Sequence, residues 1–366
     1  NNSSSLLLKI ISDILDFSKI ESEQLKIEPR EFSPREVMNH ISANYLPLVV
    51  RKQLGLYCFI EPDVPVALQG DPMRLQQVIS NLLSNAIKFT DVGCIILHVE
   101  RAGDYLRIRV RDTGVGIPGK EVVKLFDPFF QVGTGVQRNF QGTGLGLAIC
   151  EKLISMMDGD ISVDTEPGMG SQFSVRIPLY AAQPAQPLDV DGLKKTTCWL
   201  AVRNAALSGF IDSLLTHNGI RVLRYDGQTP GANDTLITDD ELDAPWPGRA
   251  TITFCRRHIG IPQERAAGQW VHSVASPHEL IALLARIYSI TVENNDASRA
   301  LQLPDSLVAS NDDMMILVVD DHPINRRLLA DQLGSLGYQC KTANDGVDAL
   351  NVLSKNHIDI ILSDVN

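Results

Sequence analysis

The chain has 366 residues, 44% hydrophobic and 21% charged, with a net charge of −11 at neutral pH. At about 150 residues per domain this length predicts two to three domains, ample for a sizeable core. The acidic balance excludes a protein that grips nucleic acid through a basic footprint, so no direct nucleic-acid partner is expected. No apolar run approaches the roughly 18 residues of a membrane-spanning helix, and no secretory signal opens the chain. The six cysteines stand singly, with no Cys-x-x-Cys pair. That argues against zinc or a disulfide scaffold and fits a reducing compartment.

Residues 1–29 open on a serine run suited to capping a helix. Leu7, Ile10, Ile11, Ile14 and Phe17 then keep helical spacing, and the pattern predicts a helix over 3–28 ended by Pro29 and Pro34. Leu8 and Leu15 widen the apolar stripe, as a bundle or coiled-coil dimer requires. Residues 30–180 alternate helices (35–51, 71–89, 145–157) with strands (56–60, 94–101, 105–111, 160–164, 171–178). This predicts an α+β sandwich with helices on one face of a mixed sheet. A Pro-rich linker follows at 181–190.

Residues 191–290 carry a weaker α/β pattern: strand 197–202, helix 205–217, strand 220–225, short strands near Leu236, Thr251 and Val271, and a helix over 277–288. Residues 291–313 are polar and read as a second linker. Residues 314–366 begin a βαβαβ run with strands at 314–319, 338–342 and 358–363 and helices at 323–336 and 347–354. Such alternation predicts a parallel sheet, here a partial doubly wound domain. The fold class is therefore multidomain, α+β then α/β. The missing initial Met, the helical opening and the stop just past a strand suggest an internal piece of a longer polypeptide.

Several motifs carry chemistry. Asn81 and Asn85 lie four apart, on one face of the 71–89 helix. An amide oxygen is a hard ligand for Mg²⁺, and Lys88 can neutralise phosphate. Alone, Asn-x-x-x-Asn is as well explained by a polar helix face. Asp112-Thr113-Gly114-Val115-Gly116 follows a strand directly. A carboxylate there can accept from an amino group on a purine, and the glycines admit close approach. Leu125 to Phe130 is an aromatic hinge. The run Gly142-Thr143-Gly144-Leu145-Gly146-Leu147 leads into a helix, where free amides point at an anion. Gly168-Met169-Gly170-Ser171 by itself reads as an ordinary hairpin. Each element singly has a structural explanation; all in this order do not.

Residues 71–176 resemble the ATP-binding domain of sensor histidine kinases, within the superfamily that includes gyrase. The resemblance implies that Asn81 and Asn85 bind Mg²⁺-ATP and that Lys88 meets a phosphate. It implies that Asp112 reads adenine beside Gly114 and Gly116, and that Gly142, Thr143, Gly144, Leu145 and Gly146 close over the triphosphate. Asp16-Phe17-Ser18-Lys19-Ile20-Glu21-Ser22 resembles the end of the second dimerisation helix of these kinases, implying a homodimer. The superfamily's ATPases carry a water-activating Glu where Asn81 stands. An amide takes no proton at neutral pH, which favours a kinase over a gyrase-like ATPase.

The acceptor histidine of the family lies in a His-Glu-x-x-x-Pro context on the first dimerisation helix. None of the eight histidines here has that context, so no catalytic residue is assigned, and His40 reads as a surface residue. Residues 314–366 resemble a response-regulator receiver domain. Asp320 and Asp321 close its first strand and Asp364 its third, so that three carboxylates converge at the strand ends. By that resemblance Asp364 is the phosphoacceptor and Asp320, Asp321 and Asp364 hold Mg²⁺. Residues 191–290 lack an Asp-Asp pair after their first strand, as a degenerate α/β domain would.

Kinase core plus receiver resembles a hybrid sensor histidine kinase. The implied function is transfer of the γ-phosphoryl of ATP to a histidine preceding these residues, then to Asp364, then to a histidine-containing phosphotransfer protein and a response regulator in an envelope-stress phosphorelay. The implied location is the cell inner membrane, through a region outside this chain. The alternative is a nucleotide-gated interaction scaffold without phosphotransfer.

Overall fold

A computed structural model describes residues 2–22, 24–131, 143–184, 191–240, 246–256, 262–290, 315–320, 326, 329–330, 333 and 339–363, the side chains of 2–10, 12, 181 and 191 excepted. The chain divides into two compact units, Asn1–Asn294 and Asn295–Asn366.

The first unit opens with helix α1 (Asn2–Glu21). It ends well before Pro29, where the sequence pattern placed its end. The amides of Gln24 and Leu25 fold back onto the Lys19 carbonyl, Leu25 is buried, and the Glu28 amide donates to Asp71 Oδ2 at 3.0 Å. Burying Leu25 in the following domain wins over extending the helix. Strand β1 (Arg30–Phe32) and helix α2 (Pro34–Arg51) follow, the helix capped by Ser33 with Pro34 in its first turn. Strands β2 (Gly55–Ile60) and β3 (Ala67–Gly70) lead into helix α3 (Pro72–Phe89). Asp71 is the cap of α3 rather than a member, accepting the Met73 and Arg74 amides at 3.1 and 3.0 Å.

Strands β4 (Cys94–Ala102) and β5 (Tyr105–Asp112) form the expected hairpin, followed by the short helix α4 (Gly119–Val122) and helix α5 (Gly146–Met156). Strands β6 (Asp160–Glu166), β7 (Gly170–Pro178) and β8 (Tyr180–Gln183) close the domain. The main sheet has the order β2-β4-β5-β7-β6; β2 and β4 run parallel and the other pairs antiparallel. Helices α2, α3 and α5 cover it, and Ile79, Leu83, Ile95, Leu97, Ile108 and Leu153 pack the layer between without exposure. Alternating burial along β4 and β5 is what period-two patterning dictates for a sheet with one core face.

The sequence pattern missed a second small sheet, β1-β3-β8. Its strands are three or four residues long, too short for alternation to stand out. Residues 180–183, all but Tyr180 inside the expected Pro-rich linker, are strand because β8 pairs with β3.

The rest of this unit is an α/β layer: strand β9 (Thr197–Ala201), helix α6 (Ala205–His217), and strands β10 (Arg221–Arg224), β11 (Thr235–Thr238), β12 (Ala250–Cys255), β13 (Gln263–Ala266) and β14 (Gln269–Ser273). The order is β10-β9-β11-β12-β14-β13, parallel except for the exposed strand β13, which the sequence pattern missed. The expected closing helix is a 3-10 turn, Pro277–Glu279, followed by α7 (Leu280–Ile287). This layer packs against the edge strand β2. Phe59 stacks on Phe210 with centroids 4.9 Å apart, and Asn204 Nδ2 donates to the Tyr57 hydroxyl at 3.3 Å. Strand β2 is thereby buried along its whole length, which protects an edge otherwise open to mispairing.

The second unit contains strands β15 (Met315–Val319), β16 (Gln339–Ala343) and β17 (Ile360–Ser363) and helix α8 (Gly346–Leu353). The order is β16-β15-β17, all parallel, with Leu317, Val319, Ala343 and Ala349 as a small core. The expected linker at 291–313 and most of the expected 323–336 helix lie outside the described residues.

Candidate functional site

The site is built where β5, α3 and the β6–β7 hairpin meet. Asp112 ends β5 and is buried. Its Oδ1 accepts the Gly114 amide at 2.8 Å and the Ser171 amide at 3.3 Å. Oδ2 has no partner among the described residues. Burial raises the Asp112 pKa above the usual aspartate value, and the two amide bonds pull it partly back.

The glycines of this turn are there for contact. A Cβ on Gly114 would lie 2.2 Å from the Phe89 carbonyl oxygen at the end of α3. Gly116 has φ +66°, and a Cβ there would lie 2.0 Å from the Glu166 carbonyl oxygen. Thr165, which the sequence reading did not single out, accepts the Ile117 amide through Oγ1 at 2.9 Å and also meets Ser171 Oγ at 2.9 Å. The expected strand stopped at 164, one residue short of it, whereas β6 runs on to Glu166.

The two asparagines of α3 differ in environment. Asn81 Nδ2 donates to Cys150 Sγ at 3.2 Å, and a Cβ on Gly146 would lie 2.7 Å from Asn81 Nδ2. Asn81 thus seats the first turn of α5. Asn85 is half-buried, and its amide makes no hydrogen bond among the described residues. Lys88 Nζ lies 4.9 Å from the centroid of the Phe89 ring.

Helix α5 starts without a side-chain cap, leaving its first amides for an external acceptor. Thr143 Oγ1 accepts the Leu145 amide at 3.2 Å, and Leu145 is buried. Gly144, at φ +71°, accepts the Phe129 amide through its carbonyl at 3.0 Å. Helix α1 also reaches this site. Thr143 Oγ1 donates to Asp13 Oδ2 at 3.2 Å, Gln77 Nε2 donates to Asp16 Oδ2 at 2.9 Å, and Phe17 meets Phe129 edge-on at 6.2 Å. The sequence reading gave none of these α1 residues a place in the site. Gly142 lies outside the described residues.

In the second unit, Asp320 is buried at the end of β15, and its carbonyl accepts from Arg326 at 2.6 Å. Asp321 and Asp364 lie outside the described residues. His40 is exposed, as expected. No helix among the described residues is long and apolar enough to cross a membrane.

A model of the histidine kinase-, DNA gyrase B- and HSP90-like ATPases matches residues 70–181, and a response regulator receiver model matches 316–366. An ATP-binding-domain match and a receiver match in one polypeptide make the chain similar to hybrid sensor histidine kinases. Residues 198–288 match the RcsC alpha-beta-loop model. Over all 366 residues the chain is 80% identical to the Sensor histidine kinase RcsC of Escherichia coli (strain K12), and it spans 39% of that protein. It is 31% identical to the Sensor protein GacS of Pseudomonas syringae pv. syringae, over 98% of this chain and 43% of that one. The fold is similar to that of full-length ShkA, solved in complex with AMPPNP, at a TM-score of 0.62 and 22% identity over 98% of this chain and 77% of that one.

Proposed function

We propose that the chain is the ATP-dependent histidine kinase core of a hybrid sensor. The observation that carries this reading is the Asp112 turn. One carboxylate oxygen is spent on the turn itself and the other is left to accept from the exocyclic amino group of adenine. Phosphates would extend toward the uncapped start of α5, with Lys88 supplying positive charge.

The donor set also fits Mg²⁺: Asn85 offers an uncommitted amide oxygen of the hard type that Mg²⁺ accepts. Held by Asn85, Mg²⁺ would supply neutralising charge for transfer. Asn81 holds α5 in place and offers no general base, so water is not activated and the γ-phosphoryl is kept for a histidine. In the intact protein that histidine would belong to a dimerisation helix preceding α1 within a homodimer. The phosphoryl group would pass next to Asp364, with Asp320 and Asp321 holding Mg²⁺, and then to a histidine-containing phosphotransfer protein and a response regulator. Anchoring at the inner membrane would come from residues outside this chain. The domain bounds fit this reading: a helical segment to residue 29, a catalytic domain over 30–180, an α/β/loop domain over 191–290, and a receiver from 314.

The test is to join a histidine-bearing dimerisation helix ahead of α1 and incubate with Mg²⁺-ATP. The reading expects acid-labile phosphate on that histidine and no steady ATP turnover. ATP binding without any acid-labile phosphate would favour the scaffold reading instead.

A further inference from the structure

We propose that Tyr45 and Lys52, on α2 and its cap, are positioning residues for the nucleotide. They fix the main chain of α3 at both ends of the stretch that carries Asn81, Asn85 and Lys88. This rests on the ATP-site reading above.

Two side chains from α2 and its cap bond to the main chain of α3. The Tyr45 hydroxyl donates to the Ser80 carbonyl at 3.0 Å. Lys52, the residue that closes α2, donates through Nζ to the Ile87 carbonyl at 2.7 Å and to the Thr90 carbonyl at 3.5 Å. Tyr45 and Lys52 are seven residues apart, and so are Ser80 and Ile87. Seven helical residues make two turns, about 10.5 Å of rise, so the same interval is spanned on both helices. The pair therefore sets the register of α3 against α2. Each acceptor also stands immediately before a residue of the site, Ser80 before Asn81 and Ile87 before Lys88.

The Ser80 carbonyl lies within α3, where the helix already supplies a partner, so the phenol is not needed to satisfy it. Its effect is geometric: an extra donor holds the tilt of the carbonyl and the local bend of the helix. Ser84 adds another such bond, its Oγ donating to the Asn81 carbonyl at 2.9 Å. Asn81 and Asn85 hang from this turn. Mg²⁺ demands near-ideal octahedral geometry, so a small shift of Asn85 is felt chiefly through the metal.

Lys52 acts at the other end. The last carbonyls of a helix have no partner within it, and a cation there answers the negative end of the dipole. Between the two carbonyls that Lys52 holds lies Phe89. Its own carbonyl accepts the Val115 amide at 3.3 Å and leaves no room for a Cβ on Gly114. The Asp112 turn thus leans on the end of α3 that Lys52 fixes. Losing Lys52 reaches the adenine end and Lys88 alike, with or without Mg²⁺.

Calorimetric titration of the 366-residue chain with AMPPNP, with and without Mg²⁺, separates the two roles. Tyr45→Phe removes one hydroxyl and keeps the ring that packs on the core, so the variant should fold. It should bind like the parent without Mg²⁺ and about three- to tenfold more weakly with it. Lys52→Met keeps the apolar stem and should lose about as much in both conditions, and Lys52→Arg should restore most of that loss. Val37→Ala, half-buried near the start of α2, is the control for packing alone: a lower urea midpoint with unchanged affinity. Parental Mg²⁺-dependent binding by Tyr45→Phe, parental binding by Lys52→Met, or an equal loss in Val37→Ala overturns the assignment while leaving the ATP site standing. No binding by the folded parent overturns the ATP-site reading and the assignment with it.

Discussion

The Gly114 amide donates to Asp112 Oδ1 over 2.8 Å, so the turn that follows β5 is fixed by the carboxylate it presents. In the proposed function the same side chain both builds the turn and accepts from the adenine. Asp112→Asn can keep the turn through its amide oxygen, yet it replaces the remaining acceptor with a donor facing the adenine amino group. The variant should fold with a near-parental urea midpoint and bind adenine nucleotide about 10- to 100-fold more weakly by calorimetry.

Protonation should do the same reversibly. Burial raises the Asp112 pKa, so the carboxylate protonates at a higher pH than an ordinary aspartate does. Nucleotide affinity should fall as the pH drops through that raised pKa, starting above the usual aspartate range. The sign for stability is opposite: a raised carboxylate pKa penalises the folded state above it, and the penalty lifts on acidification. Affinity titrations across acidic pH check the first effect, and Asp112→Asn should flatten the profile.

Gly116→Ala tests the backbone requirement. A Cβ would sit 2.0 Å from the Glu166 carbonyl oxygen, at a residue whose φ is +66°. Loss of about 2 kcal/mol or more is expected from urea unfolding, because the obstacle is backbone rather than a side chain that can swing away. Gly103 has a similar φ, +65°, but open space around it, so Gly103→Ala should lose only about 1 kcal/mol.

The Phe59–Phe210 stack predicts that the α/β/loop layer stabilises the edge strand of the ATP-binding sheet. Phe210→Ala should cost about 3–5 kcal/mol. A double-mutant cycle with Phe59→Ala should return a coupling of roughly 1 kcal/mol. Additive effects would mean that the two layers are stabilised independently.

His278 gives the same junction a pH dependence. It is buried, and its imidazole pKa lies well below the usual 6.5, chiefly through burial and then through the Arg35 charge. A depressed histidine pKa stabilises the fold above the unfolded value, and this contribution is lost as the pH falls from 6.5 toward the folded value. Glu279 beside it acts in the opposite sense, because burial raises its carboxyl. The difference between parent and His278→Gln isolates the histidine: urea midpoints at pH 7.5 and 5.5 should show the parent losing more.

Much of this was legible in the sequence. Asp-x-Gly-x-Gly after a strand and the glycines before α5 announce themselves because backbone contact leaves no alternative residue. The long helices and the β4–β5 hairpin follow from strong periodicity. The small β1-β3-β8 sheet was not legible, since its strands are too short to show a period. The early end of α1 depends on where Leu25 packs, which local propensity does not encode. Asp13 and Phe17 enter the site only through contacts distant in sequence, 130 residues in the case of Asp13 and Thr143. The contrast between Asn81 and Asn85 is likewise tertiary: one meets Cys150 and Gly146 on α5, and the other does not.

The most direct test of the account is calorimetry of the chain with an ATP analogue, with and without Mg²⁺, beside Asn85→Asp. The account predicts Mg²⁺-dependent binding in the parent that collapses in Asn85→Asp, because an added carboxylate repels the triphosphate and alters the metal ligand. A folded parent that binds no analogue, or an Asn85→Asp variant that binds as tightly as the parent, would contradict it.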